Sequence, residues 1–255
     1  MSSKGGRAKR IIGKTAAVLL ALLVWQAAAM ALNQKILLAS PISVAARLGS
    51  IWKVPGFWGI IWFSFKRIAA GFLLGLVLGT ALAVIAGRFK IVETLLWPYM
   101  ITIKSVPVAS FIVIALVWLS ARQLSAFISF LMVLPIIYTN VLSGVKNTSL
   151  KMTEMAKVFR LGWGKRMLYI NMPQVKPYLL SGMSLSLGLA WKAGVAAEII
   201  GIPDGSLGEM LYESKAYLNT VDLFAWTAII VLISVLFEKA VTGLAKLCFR
   251  GLERL

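Results

Sequence analysis

Lys104, Lys192 and Glu198 are charged residues that lie within otherwise apolar stretches of the 255-residue chain. A charge at the centre of a bilayer costs about 2.5 to 3.5 kcal/mol on insertion scales, so each side chain needs a partner, a water-filled cavity or a route to the interface. The two lysines, together with Pro107 and Glu198, could line a path that attracts an anion. The alternative is that Lys104 and Glu198 extend to the two membrane interfaces.

Residues that could support other kinds of chemistry are scarce. The sequence contains no histidine, a single cysteine (Cys248) and nine carboxylates that are scattered along the chain. These numbers exclude a disulfide framework and argue against a structural zinc site or histidine-based acid–base catalysis. We therefore predict no catalytic residues, no metal site and no cofactor, which leaves little material for a membrane enzyme.

The overall composition predicts a membrane protein. Hydrophobic residues make up 60% of the chain and charged residues 14%, and the mean hydropathy is +0.86. A soluble globular enzyme does not have such values. Lys and Arg outnumber Asp and Glu by 27 to 9, an excess that would suggest nucleic acid as the partner of a soluble chain. In a membrane protein it sets orientation instead, so we expect a lipid bilayer and no nucleic acid as partner.

Six apolar stretches are long enough to cross a bilayer, which takes about 20 residues. They cover residues 15–32, 58–86, 91–120, 124–145, 177–201 and 223–247. The first could instead be a cleaved signal peptide, because basic residues precede it and small residues lie near its end. The third is interrupted by proline, so we expect a short segment near the cytoplasmic face, a break over residues 104–107 and a span over residues 108–119.

Two further patterns concern helix packing and orientation. Gly71, Gly75 and Gly79 follow one another at four-residue spacing, so they share a helix face that can approach another helix closely. Eighteen of the 27 basic residues fall in segments that one orientation places in the cytoplasm. The positive-inside rule therefore predicts a multi-pass protein of the plasma membrane with both termini inside.

Residues 146–176 form the one long polar stretch, with seven basic residues and one acidic residue. Helix-forming residues flank Gly162, Trp163 and Gly164 within it, which predicts a helix-turn-helix hairpin over residues 150–173. Four apolar side chains recur at helical spacing on the first half of this hairpin: Met152, Met155, Ala156 and Phe159. This stripe either binds a partner or lies on the membrane surface as part of a basic amphipathic element.

The hairpin resembles the cytoplasmic signature of type-I permeases, the membrane-spanning subunits of binding-protein-dependent ATP-binding-cassette importers. The start of that signature, Glu-Ala-Ala, is matched by Glu154, Met155 and Ala156. Its end, Ile-x-Leu-Pro, is matched by Ile170 and by Pro173, which lies nineteen residues after Glu154 as in the family.

One position of the signature departs from the family, which has a glycine six residues after the glutamate. This chain has Arg160 there, and the nearest glycines are Gly162 and Gly164. A flexible turn is therefore expected two residues later than in the family. The resemblance extends beyond the hairpin and covers roughly residue 40 to the end of the chain. Over this range the sequence resembles nitrate, sulfonate and taurine import permeases.

This resemblance implies a fold and a mechanism. The fold is an all-α integral membrane protein, the type-I ABC importer permease fold, with about six transmembrane helices and a cytoplasmic coupling-helix hairpin. Two permease copies, as a homodimer, would bind two cytoplasmic ABC ATPase subunits and an extracytoplasmic substrate-binding protein. The residues implied in ATPase coupling are Glu154, Met155, Ala156, Gly162, Ile170 and Pro173.

The chain itself is not expected to be an enzyme. It contains no Gly-x-x-x-x-Gly-Lys-Ser/Thr loop, so ATP hydrolysis would take place on the partner subunit. The resemblance implies that the imported solute is small, such as a sulfonate, nitrate or a similar anion. The alternative is an ATP-independent channel or secondary transporter, which would predict inverted internal repeats that the sequence does not show convincingly.

The same considerations divide the chain into three parts. Residues 1–57 contain the cytoplasmic N-terminus, the first transmembrane helix and an outer connecting segment. Residues 58–248 form the permease domain, and residues 249–255 form a cytoplasmic tail. The outer loop over residues 203–222 could receive the binding protein. Trp97, Trp118 and Trp191 are expected either to anchor the chain at the membrane interfaces or to line the path.

Overall fold

Helices dominate the computed structural model, which describes residues 3–32, 34, 36–162, 165 and 167–252. The α-helices are α1 (Ser3–Leu32), α2 (Pro41–Leu48), α3 (Phe57–Arg88), α4 (Lys90–Ser105), α5 (Val108–Ala115), α6 (Ala121–Lys146), α7 (Leu150–Val158), α8 (Met172–Gly201), α9 (Leu207–Ala216) and α10 (Thr220–Leu252). A 3-10 turn covers Ile51–Lys53, and a π-helical turn covers Met167–Asn171. The described residues contain no strand, and the predicted all-α fold is confirmed.

Five of these helical segments are long and apolar enough to cross a membrane. They are Gly13–Leu32, Phe57–Arg88, Ala121–Lys146, Tyr169–Gly201 and Thr220–Phe249. The helices α4 and α5 also pass this test together, although they meet at an angle of 103°, so the described residues provide up to six spans. The prediction of about six spans is therefore confirmed.

The broken third span differs from its prediction in the lengths of its two parts. The longer part, α4, precedes the break and has 16 residues, whereas α5 has 8. At a rise of 1.5 Å per residue, α5 extends for only about 12 Å and does not cross a bilayer alone, so the predicted span over residues 108–119 is wrong. The break itself lies where proline requires it, because Val106 is extended before Pro107 (φ −78°, ψ 132°).

The chain divides into two compact units, of which the first contains Met1–Trp58 and Met210–Ile230. Within this unit, Ser40 caps α2, because its hydroxyl accepts a hydrogen bond from the Ser43 amide at 3.2 Å. Arg47 on α2 makes a two-pronged ion pair with Asp222 in the first turn of α10. This pair joins two parts of the unit that are far apart in the sequence.

The second unit contains Gly59–Glu209 and Val231–Leu255, and α6 and α8 form its centre. A buried apolar cluster joins these two helices to α5 through Ile112, Ala115, Leu124, Ile128, Ala193 and Ala197. Ser129 on α6 also donates a hydrogen bond to the Ala190 carbonyl of α8 at 3.0 Å. The polar side chain is thus satisfied inside the apolar interface.

The three evenly spaced glycines of α3 face α6. A Cβ atom at Gly75 would lie 2.8 Å from Cβ of Val133, and one at Gly79 would lie 3.0 Å from Cβ of Ile137. At Gly71 an added Cβ would overlap the Ala126 carbonyl oxygen. The backbone of α3 therefore approaches α6 more closely than any larger residue would allow.

Candidate functional site

The predicted apolar stripe on the hairpin is divided between two surroundings. Ala156 on α7 is 1% exposed, so it faces the rest of the protein. Met152, Met155 and Phe159 are exposed, Phe159 to 70%. The helix α7 therefore packs through its alanine and presents two methionines and a phenylalanine outward, while Glu154 on the same helix is also exposed.

The helix α7 ends in a left-handed residue, and that residue is Arg160. Its φ is +51°, and the amide of Leu161 donates a hydrogen bond to the Ala156 carbonyl at 2.9 Å. This is the Schellman arrangement, whose left-handed position is usually glycine. The position at which the permease signature has glycine is thus the position at which this chain adopts the conformation that glycine favours.

The turn predicted over Gly162, Trp163 and Gly164 stays a prediction. Gly162 is not among the glycines with positive φ, which in the described residues are Gly56 and Gly205. Trp163 and Gly164, which complete the predicted turn, lie outside the described residues. Within the described residues, α7 ends at Val158, and Arg160 is the left-handed residue that follows it.

The end of the hairpin signature leads directly into the fifth span. Ile170 lies in the π-helical turn and is buried, and Pro173 is the second residue of α8, where the amide that proline lacks is not needed. The side chain of Gln174 accepts a hydrogen bond from the Ser149 amide at 2.8 Å and donates one to the Ile170 carbonyl at 3.1 Å. The beginning of α7 is thereby held against the beginning of α8.

Of the predicted path residues, Lys104 and Pro107 lie at the break between α4 and α5. Lys104 is exposed, and its Nζ donates a hydrogen bond to Oγ1 of Thr139 on α6 at 3.2 Å. Lys192 is exposed on α8 and makes no hydrogen bond or ion pair with the part of the chain that the structure describes. Both lysines are thus exposed on the surface of the chain.

Glu198 is placed quite differently from either expectation for it. It is 0% exposed, so it neither extends to an interface nor faces an open path within its own protomer. Its Oε2 atom accepts hydrogen bonds from the Ser64 hydroxyl at 2.7 Å and from the Gly208 amide at 3.3 Å. The six-residue spacing from Lys192 puts the two charges on different faces of α8.

Ser64 was not recognised from the sequence as a functional residue. It is fully buried on α3, and its hydroxyl also accepts a hydrogen bond from the Leu207 amide at 2.9 Å. Ser64 and Glu198 therefore take the first two amides of α9, which have no partner within their own helix. The only signal in the sequence is an isolated serine within an apolar run, and it does not indicate its partner.

The three tryptophans considered as anchors or path residues separate in the structure. Trp97 and Trp118 are exposed, whereas Trp191 is buried at 1% exposure. The ring of Trp191 lies 6.2 Å from that of Phe65 and 6.1 Å from that of Phe237, centroid to centroid. Both expectations are therefore wrong for Trp191, which is a core residue of the second unit.

Comparison with known proteins places most of the chain in one family. Residues 71–254 match the family described as binding-protein-dependent transport system inner membrane component. A putative aliphatic sulfonates transport permease of Bacillus subtilis is 27% identical over 206 residues, covering 80% of this chain and 74% of its own.

Other relatives carry different names. A bicarbonate transport system permease of Synechococcus elongatus is 24% identical over 197 residues, covering 77% of this chain and 70% of its own. A nitrate import permease of the same species is 28% identical over 204 residues, covering 76% and 72%. The chain is thus similar over most of its length to permeases whose names give different solutes.

A solved structure supports the fold. The crystal structure of an amino acid ABC transporter with histidines superposes with a TM-score of 0.60 at 16% identity, covering 82% of this chain and 98% of that one. Together with the matched residues, this confirms the resemblance to type-I importer permeases. The chain belongs to the family of binding-protein-dependent transport system inner membrane components, which are multi-pass transport permeases and not enzymes.

Proposed function

We propose that this chain is the membrane-spanning subunit of an ABC importer of the plasma membrane, with both termini in the cytoplasm. It forms the translocation path for a small anion, and a separate cytoplasmic subunit hydrolyses the ATP. The distribution of basic residues supports this orientation, because residues 146–176 carry seven basic residues and one acidic residue. The permease domain is residues 58–248, and α1 and the segment after it precede it.

The observation that carries the proposal is the outward-facing side of α7. Met152, Met155 and Phe159 are exposed on a helix whose other side is fixed to the protein through Ala156. A hydrophobic surface on a water-exposed element calls for a partner. An ATPase groove that accepts these side chains explains why they are apolar, and the coupling residues are then Glu154, Met155, Ala156, Gly162, Ile170 and Pro173.

The path for the solute lies between two copies of the chain. Lys192 is a charge in the middle of a span, and it is exposed without a partner in the described part of its own protomer. Such a charge is tolerated next to protein or water rather than lipid. A second copy placed against α8 provides both, and Lys104 and Pro107 at the broken span complete the path.

The solute is a small anion. Aliphatic sulfonates, bicarbonate and nitrate appear in the names of the relatives, and all three carry a single negative charge near neutral pH. Lys104 and Lys192 supply matching positive charge, which raises the local concentration of an anion. A substrate-binding protein delivers the solute to the outer surface, where residues 203–222 form part of its docking site.

The experiment is purification of the tagged permease from cells that also express the neighbouring genes. We expect an ATPase subunit to co-purify, and we expect Met155→Ser combined with Phe159→Ser to abolish this association while the permease remains folded. The matched control is Val117→Ser, which changes an exposed apolar residue in the turn between α5 and α6. Anion uptake that continues without any ATPase would instead identify a channel or secondary transporter.

A further inference from the structure

The clearest feature that the proposed function leaves unused is the buried carboxylate at the end of α8. Glu198 lies where four elements meet: α3 contributes Ser64, α6 contributes Ser125, α8 contributes Glu198 itself, and α9 contributes its first two amides. All of these residues belong to the second compact unit. A fully buried charge that interacts with so many elements has to be explained by what it holds together.

Glu198 interacts with a helix terminus and makes no ion pair with the part of the chain that the structure describes. Arg67 has other partners, because its Nε donates a hydrogen bond to the Arg122 carbonyl at 2.6 Å and its guanidinium lies 3.6 Å from the ring centroid of Phe63. The partners of the carboxylate are the Ser64 hydroxyl and the Gly208 amide. Because amides at the N-terminus of a helix carry partial positive charge, a carboxylate there is stabilised.

Close packing at the same point provides an independent observation. A Cβ atom at Gly208 would overlap Cβ and the backbone carbonyl carbon of Glu198. The first turn of α9 therefore lies directly on the backbone of α8. Ser206 and Glu209 close the same turn, because the Ser206 hydroxyl accepts from the Glu209 amide at 3.0 Å and the Glu209 carboxylate accepts from the Gly205 amide.

The other end of α8 carries the hairpin. The span that contains α8 runs without interruption from Tyr169 to Gly201, 33 residues, or about 50 Å of helix. Ile170 and Pro173 of the coupling signature lie at its beginning, and Glu198 lies three residues before its end. One helix thus joins the element that faces the ATPase to the element that begins the outer loop.

We propose that Glu198 is a positioning residue that clamps the first turn of α9 to α8, so that α8 transmits displacement of the outer loop to the coupling hairpin. The proposal rests on the proposed function for its orientation and partners. The clamp consists of the carboxylate, the Ser64 hydroxyl and the glycine that permits their approach. The carboxylate oxygen Oε1 and the buried Ser125 hydroxyl make no further hydrogen bond within the described ranges.

The first test measures hydrogen exchange in the permease–ATPase complex held in lipid nanodiscs. Overlapping peptides that cover residues 203–211 report the amides of Leu207 and Gly208. Glu198→Ala removes a hydrogen bond to a charged group, so we expect exchange in this turn to accelerate by about tenfold or more. Glu198→Gln keeps an acceptor oxygen, so its exchange rate should stay near that of the wild type. Ser64→Ala should accelerate exchange mainly at the Leu207 amide.

A matched control is available on another helix. The Ser184 hydroxyl of α8 donates a hydrogen bond to the Glu238 carboxylate of α10 at 2.9 Å. This is also a serine–glutamate pair, but it does not involve α9. Glu238→Ala should leave exchange over residues 203–211 unchanged. Protection of the α9 amides that is as strong in Glu198→Ala and Ser64→Ala as in the wild type would overturn the clamp.

The second test measures ATPase activity of the same complex with and without the binding protein. We expect Glu198→Ala to keep the basal rate and lose the stimulation by the binding protein, with recovery in Glu198→Gln. A purely structural role would lower thermal stability and both rates together. Accelerated exchange with full stimulation would overturn transmission through α8. Failure of any ATPase to assemble would contradict the proposed function, and the exchange result would still decide the clamp.

Discussion

Lys146, the last residue of α6, donates a hydrogen bond to Glu93 in the first turn of α4, with Nζ 2.5 Å from Oε1. A second polar link joins the same two helices, between Lys104 and Thr139. The helix α4 is therefore tied to α6 near both of its ends, and α7 begins four residues after Lys146. We therefore predict that movement of the hairpin is transmitted to α4 through these two links.

Swapping the two charged side chains by mutation tests the link between Glu93 and Lys146. Both side chains are partly exposed, so we expect Glu93→Gln to lower the free energy of unfolding by no more than about 1 kcal/mol. The effect on transport should be larger than the effect on stability. The double change Glu93→Lys with Lys146→Glu should restore uptake, measured in proteoliposomes, and an uptake rate that no single change affects would contradict the link.

The glycine face of α3 predicts a selective loss of stability. Gly75→Ala places a methyl group 2.8 Å from Val133, so we expect the free energy of unfolding to fall by about 1 to 3 kcal/mol. Gly59→Ala on the same helix is the control, because nothing lies within 4 Å of its added Cβ. It should be neutral or stabilising, since alanine favours a helix over glycine. Thermal unfolding in detergent compares the two variants.

The left-handed conformation of Arg160 predicts that glycine is preferred there. Arg160→Gly should stabilise the end of α7 by up to about 1 kcal/mol, because glycine adopts this conformation without a steric penalty. Arg160→Val should destabilise it, and Arg160→Lys should change nothing, since it keeps both the strain and the charge. Protection of the Leu161 amide from hydrogen exchange is the measurement. Equal protection in the glycine and valine variants would show that the conformation carries no strain.

Removal of the unpartnered charge on α8 predicts a transport defect without a folding defect. Lys192→Gln should reduce anion uptake by about tenfold, because the local attraction for the anion is lost. Stability should not change, since Lys192 is exposed and has no partner among the described residues. Lys239→Gln on α10 is a control of the same type. Unchanged uptake in Lys192→Gln would remove this lysine from the path.

Much of the fold follows from local sequence patterns. Apolar runs of sufficient length locate the spans, and Pro107 locates the break between α4 and α5, because both effects depend on a few neighbouring residues. The lengths of the two parts of the broken span could not be predicted from such patterns. The residues after Leu116 are as apolar as those before it, yet the helix α5 ends at Ala115, and no local pattern signals that end.

The candidate site was less accessible to such patterns. The spacing of the hairpin motif predicts Glu154 and Pro173 as coupling residues, since a motif keeps its order along the chain. The environment of Glu198 did not follow, because its partner Ser64 is 134 residues away and nothing in either segment marks the other. Trp191 shows the same difficulty, since periodicity does not distinguish an aromatic residue that meets lipid from one that meets Phe65 and Phe237.

The distance in sequence between Ser64 and Glu198 also bears on how the chain enters the membrane. When α8 emerges, its carboxylate is a charge in an apolar segment, and α9, which supplies the compensating amide, follows it. The hydrogen bond from Gly208 therefore forms only after α9 has been synthesised, whereas α3, which supplies Ser64, is already present. The polar surroundings of Glu198 are thus completed late in synthesis of the chain.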